Sequence, residues 1–236
     1  MPNENIIELH GSIDLVDIPE FDATPVRVLV VVTHPGIIPR SEWLASCVQQ
    51  YSGAPIPYQL HLDKRTFAAG EALELEAVLI AGWGEGSEKV RVTLPLALDH
   101  ATIRVEQDIT LAGSETGAQR MAAPSFKQIT GSVLAANIED LSGHQLFADL
   151  YEVRLNDDGQ KVFNQISENV YQMRDLNAPF SLYYDQQVLV SDGVSHDLNF
   201  MLQAPSGNFV AGRNLRNIDL DTLEAGMQVE LRNARF

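Results

Sequence analysis

The stretch "ELHGSI", Glu8 to Ile13, returns as "QITGSV", Gln128 to Val133, 120 positions further on. From there the matches continue in order. "PVRVLVVV" from Pro25 lies over "HQLFADLYEV" from His144, with Val26, Val28 and Val30 opposite Leu146, Ala148 and Leu150. "PYQLHLD" (Pro57 to Asp63) lies over "PFSLYYD" (Pro179 to Asp185), and "ELEAVLI" (Glu74 to Ile80) over "DLNFMLQ" (Asp197 to Gln203). "IRVEQ" from Ile103 closes the first copy as "MQVEL" from Met227 closes the second, at an offset of 124. An offset that drifts by single residues while the order is kept is what duplication with small loop changes leaves behind.

Within each copy the apolar residues alternate with polar ones, the period-2 mark of strands with one buried face. Proline at Pro57 and Pro179 places those segments at the start of an edge strand. Turn signals separate the runs, among them "THPG" at Thr33, "DDG" at Asp157 and "APSGN" at Ala204. The pattern predicts an all-β protein, two tandem antiparallel β-sandwich domains of similar topology. Residues 1–111 form the first repeat and 127–236 the second. The segment 112–126, small and polar without periodicity, reads as a flexible linker. One stretch breaks the pattern. "SEWLASCVQQY" from Ser41 carries Leu44, Cys47, Val48 and Tyr51 at helical spacing, with Ser41 placed to cap, and predicts a helix. Its counterpart, "KVFNQISENVY" from Lys161, reads as a strand.

The chain holds 236 residues, and each half is long enough to bury a core without disulfides or metals. Lysine and arginine number 16 against 32 acidic residues, a formal net charge of −16. That balance repels polyanions, excludes nucleic acid and anionic lipid as partners, and favours neutral or basic ones. Cys47 is the sole cysteine, so no internal disulfide forms. The start "MPNEN" has neither a basic n-region nor an apolar run behind it. The longest aliphatic run, Val28 to Val32, is too short to span a bilayer, so no membrane insertion is expected. The expected compartment is the cytoplasm if Met1 is the natural start, and the periplasm or cell envelope if a signal has been removed.

The order of a G-S-[IV] opening strand, an alternating strand, "APIPYQLHLD" or "APFSLYYD", then "GEALELEAVLI" resembles the YscW and YbaY type of small lipoprotein. That group includes type III secretion pilotins. The resemblance covers residues 6–110 and 127–236. It implies a β-sandwich and a non-enzymatic role, which in the pilotin branch is chaperoning and localising a secretin subunit. Two features depart from the family pattern: this chain carries two units, and it has no lipidated cysteine near its start.

The residues themselves offer little chemistry. The histidines at 10, 34, 61, 100, 144 and 196 lack the i, i+3 or i+4 spacing of a helical metal pair, and no H-E-x-x-H occurs. "DLDTLE" from Asp219 has no EF-hand glycine or spacing and reads as a solvated turn. Cys47 reads as a buried structural thiol. No catalytic, cofactor-binding or metal-binding residue emerges, and no cofactor is expected. Trp83, set between glycines in "AGWGEG", is the one candidate ligand-binding residue, its ring free to offer a flat face to a sugar or a partner side chain. The expected function is a non-catalytic binding or chaperone-like module that recognises a protein segment by strand addition at an exposed edge. A carbohydrate-binding module built on Trp83 and a structural spacer or homodimer are the alternatives.

Overall fold

The computed structural model describes residues 4–18, 25–36, 38–51, 53, 55–82, 86–113, 125–136, 138, 140–186, 194–223 and 226–233. Its first half contains strands β1 (Ile6–Val16), β2 (Val26–Thr33), β3 (Ala45–Gln50) and β4 (Ile56–Asp63), then β5 (Ala72–Ala81), β6 (Glu88–Ala97), β7 (Arg104–Glu106) and β8 (Ile109–Ala112). The second half repeats the plan with β9 (Phe126–Leu134), β10 (His144–Leu155), β11 (Lys161–Met173) and β12 (Asn177–Asp185). It closes with β13 (Ser195–Gln203), β14 (Phe209–Ile218), β15 (Met227–Glu230) and β16 (Arg232–Asn233). The fold is an all-β sandwich.

One layer is a nine-stranded sheet in the order β16-β14-β13-β10-β11-β3-β2-β5-β6. The other consists of two small sheets, β4-β1 with β7 and β8, and β12-β9-β15. Between the layers lies a continuous core that draws on every repeat motif, including Leu9, Val30, Tyr58, Leu75, Ile129, Phe180 and Phe200. Neighbouring strands run antiparallel except where closing strands meet the opening ones, and β7 lies parallel to β1. The closing strands β8 and β15 lie parallel to the opening strands β1 and β9.

That parallel pairing explains why the repeat begins with glycine. A Cβ on Gly11 would collide with the Gln107 carbonyl, and one on Gly131 with the Met227 carbonyl. The rings of Tyr58 and Phe180 close in from the other side of the same two positions. Neither glycine needs a positive φ; each is required by the close approach of a crossing backbone. The carbonyls also correct the sequence alignment, because the counterpart of Met227 is Gln107 and not Ile103. Ile13 faces Ile109 just as Val133 faces Val229. Similarly Val28 faces Leu79 and Leu146 faces Leu202, so Leu146 matches Val28 rather than Val26. Period-2 alternation looks the same after a two- or four-residue slip, and only the cross-strand partner breaks the tie.

The helix expected from Ser41 is not formed. Only Arg40–Glu42 make a single 3-10 turn, and Ala45–Gln50 form strand β3. Leu44, Cys47 and Val48 fall at helical spacing by coincidence. The inward set of β3 is Ala45, Cys47 and Gln49, and the polar Gln49 hides the alternation. Its Nε2 donates to the Pro57 carbonyl (2.6 Å), which permits its burial.

β3 is also where the two halves meet. It pairs antiparallel with β11, so the large sheet runs through both repeats. Val30 faces Cys47 and Ala148 faces Asn169, which makes Cys47 and Asn169 counterparts; they also face each other. The halves therefore join about a local twofold axis through that pair, in the manner of an isologous dimer made within one chain.

Candidate functional site

Free strand edges are where a β-sandwich can accept another chain. The edges of β3 and β11 are consumed by pairing with each other. Around their junction β4 and β12 also come together, tied by polar side chains. Gln128 Nε2 donates to Gln59 Oε1 and Ser181 Oγ, both at 2.7 Å, and Asn169 Nδ2 donates to the Gln59 carbonyl. His61 is enclosed beside the Tyr171 ring, and burial pulls its pKa down to about 4, so it is neutral.

β6, at one edge of the large sheet, and β14, beside the two-residue β16 at the other, are counterparts and differ. Pro95 in β6 has no N–H, and a proline in a ladder directs its ring nitrogen to the open side. Arg91 on the same strand is held in ion pairs with Glu76 and Glu88. β6 also closes down toward β8. This edge is blunted in the way that isolated sheet edges commonly are.

β14 is open. It pairs with β13 with register shifts at His196/Leu198 and Leu202/Gln203, the first bulging β14 at Arg216 and Asn217 (φ 52°), and with β16 only at Ala211 and Gly212. From Arg213 to Ile218 no described strand covers its outer edge, and this stretch contains no proline. Between β14 and β15 the layers stand apart and leave a slot of about 150 Å³, lined by Arg213, Leu215, Gln228, Val229, Glu230 and Arg232. Leu215 and Val229 give it an apolar floor. Arg213 and Arg232 frame it, and Arg216 lies exposed on the adjoining strand face. No ion pair is made by these three arginines among the described residues, whereas Arg40, Arg65, Arg91 and Arg154 are each bound to a carboxylate.

A second polar cluster lies on the opposite face of the large sheet. Asp149 and Glu168, paired across β10 and β11, are both buried. Burial, and then the neighbouring Glu168 carboxylate, pushes the Asp149 carboxyl up to about 7. Gln165 Nε2 donates to Asp149 (2.8 Å), and Arg40 reaches across from the first half to Glu168 (2.5 Å). With both carboxylates enclosed, a substrate has no approach to them; the cluster fastens the Arg40 turn to the second repeat. A larger cavity of about 370 Å³ lies at the end of the second half, beside His196, Asn217 and Asp219. There residues 219–223 form a turn in which Asp219 accepts from the Asp221 amide. Among the described residues no group of three or more His, Cys, Asp or Glu side chains could hold a metal. No helix among them is long and apolar enough to cross a membrane.

Trp83 lies outside the described residues; the strand before it ends at Ala81. The arginines of β14 and β16 were not singled out from sequence. The available signal was "GRNLRN" with "LRN" soon after, arginines gathered near the end of an acidic chain.

No family model matches the chain, and no curated protein matches it. Among solved structures, an alternative pilotin from the type II secretion system of Vibrio cholerae is similar over 47% of this chain and 98% of its own, at 19% identity and a TM-score of 0.33. A putative adhesin from Bacteroides ovatus is similar over 96% of this chain and 93% of its own, at 9% identity and a TM-score of 0.27. A shaft pilin from Lactobacillus rhamnosus GG is similar over 97% of each chain, at 9% identity and a TM-score of 0.24. Likeness at these scores bears on neither function nor partner. A pilotin is among the similar structures, but membership of the YscW and YbaY family is not established by them.

Proposed function

We propose that this protein is a non-catalytic binding module that takes up an extended protein segment along the free edge of β14. The observation that carries the reading is the asymmetry between counterparts: β6 is blunted and closed, while β14 presents an uncovered, proline-free edge beside an open slot. A strand laid against Arg213–Leu215 would satisfy backbone groups that otherwise face water. Its alternate side chains would enter the slot over Leu215 and Val229. The regular edge, Arg213 to Leu215, spans about 10 Å, enough for roughly three residues of extended chain before the bulge at Asn217. The two repeats, 1–111 and 127–236, then have different duties, the first bracing the sheet and the second presenting its edge.

The test uses a capped peptide of alternating threonine and valine, measured by fluorescence anisotropy against the full chain, with amide exchange followed in parallel. Saturable binding with new protection at residues 213–215 supports strand addition. A peptide N-methylated along one edge should bind at least tenfold more weakly. Equal binding by the methylated peptide, or protection elsewhere only, refutes the reading.

A further inference from the structure

We infer that the segment accepted at β14 is acidic, its carboxylates meeting Arg213, Arg216 and Arg232; this rests on the edge-docking reading above. Net charge alone argues the opposite, since a chain of −16 should favour neutral or basic partners. Net charge is an average, however, and contact electrostatics are local: at ordinary ionic strength the field of a distant charge is screened within about 8–10 Å. What an incoming strand meets is the charge within that distance of β14.

Elsewhere most of the described arginines lie near a carboxylate; Arg104, exposed on β7, makes no ion pair among the described residues and donates to His10. Arg40, Arg65, Arg91 and Arg154 are in ion pairs, and Arg27 and Arg174 lie in the field of Glu168 and Asp140 respectively. In a chain with twice as many acidic as basic residues, three arginines gathered at one edge with no ion pair among the described residues stand out. Their arrangement suits an extended anion. Arg213 and Leu215 look into the slot, whereas Arg216 lies on the outer face of the same strand. Arg232, on β16, stands where the existing pairing stops and the free edge begins. Acidic side chains on either face of an added strand thus have a guanidinium within reach, and guanidinium groups bind carboxylates through two parallel hydrogen bonds. Glu230 also lines the slot and is the one carboxylate there; it opposes an acidic ligand but is outnumbered by the flanking arginines. The closed counterpart, β6, carries Val92 and Leu94 in place of Arg213 and Leu215, and its own Arg91 is held by Glu76 and Glu88 while its Lys89 donates to the Gly86 carbonyl.

The experiment compares three capped peptides of one length, valine alternating with glutamate, glutamine or lysine, against the full chain and against an R213Q/R216Q/R232Q variant. In about 50 mM salt the glutamate peptide should bind at least tenfold more tightly than the glutamine peptide, and the lysine peptide more weakly than both. The glutamate advantage should shrink at about 500 mM salt and vanish in the triple variant, to which the glutamate and glutamine peptides should bind alike. Equal affinities for glutamate and glutamine, or an advantage that survives in the variant, overturn the acidic-partner inference and leave edge docking standing. Failure of all three peptides to bind refutes edge docking, and the inference with it. A dimer in sedimentation that dissociates in the variant and excludes the peptides overturns it in favour of a second copy of this chain as the occupant.

Discussion

Replacing Asn169 with cysteine should form a disulfide to Cys47 and lock the two halves together. The geometry follows from one hydrogen bond. The Gln172 amide donates to the Leu44 carbonyl at 3.0 Å, so hydrogen-bonded pairs recur at every second position of the β3–β11 ladder. Ser46 with Val170 is then such a pair, and Cys47 with Asn169 is not. In non-hydrogen-bonded pairs the Cα atoms stand about 4.5 Å apart and the side chains are closest, within reach of the span that a disulfide bridges. The bond would close a loop of about 120 residues, for which chain entropy gives roughly 4–5 kcal/mol of stabilisation. Against this stands the loss of the 3.0 Å bond from Asn169 Nδ2 to the Gln59 carbonyl, about 1 kcal/mol. A net gain of roughly 3–4 kcal/mol corresponds to about 10 °C in Tm for a chain of this size. The assay is thiol titration of the variant after mild oxidation, with urea unfolding before and after reduction. Wild-type Cys47 supplies the baseline. Burial pushes its thiol up to about 12, so it should react with a thiol reagent only once denaturant is added. If both thiols stay free after the variant is refolded under oxidant, the register joining the halves is wrong and the argument for a local twofold axis collapses.

Gly11→Ala should destabilise the fold by roughly 3–5 kcal/mol. The Gln107 backbone must retreat, which strains the packing and breaks the bonds from Tyr58 Oη to Gln107 O and from Gln107 N to His10 O; a loss below about 1 kcal/mol in chemical denaturation would show that no crossing strand lies there. The raised pKa of Asp149 has a definite sign. Between about pH 4 and 7 the folded state holds a proton that the unfolded chain has released, so this group's contribution is full below its unfolded value and fades as pH rises through about 7. D149N should flatten that slope when urea midpoints at pH 5 and pH 8 are compared, and an unchanged slope would move its origin elsewhere.

How much of this was legible in the residues depends on whether the signal is local. "ELHGSI" and "QITGSV" announced the duplication because a crossing carbonyl tolerates only glycine at Gly11 and Gly131, and a steric veto leaves a mark at one position in the sequence. Val28, Val30 and Val32, or Leu198, Phe200 and Leu202, declared strands because alternation is written along the chain itself. β3 did not declare itself: its inward Gln49 donates to the carbonyl of a residue in the next strand, and its Cys47 faces a partner 122 positions away. The β14 edge was silent for the same reason, since "GRNLRN" shows arginines but not that no described carboxylate pairs with them, nor that no described strand lies beyond Gly212. Sequence alone thus determined the all-β class and the repeat, both consequences of periodicity and backbone sterics. Only the tertiary structure decided which edges the halves spend on each other and which one is left open, because pairing across more than a hundred residues is settled by complementary surfaces meeting in space.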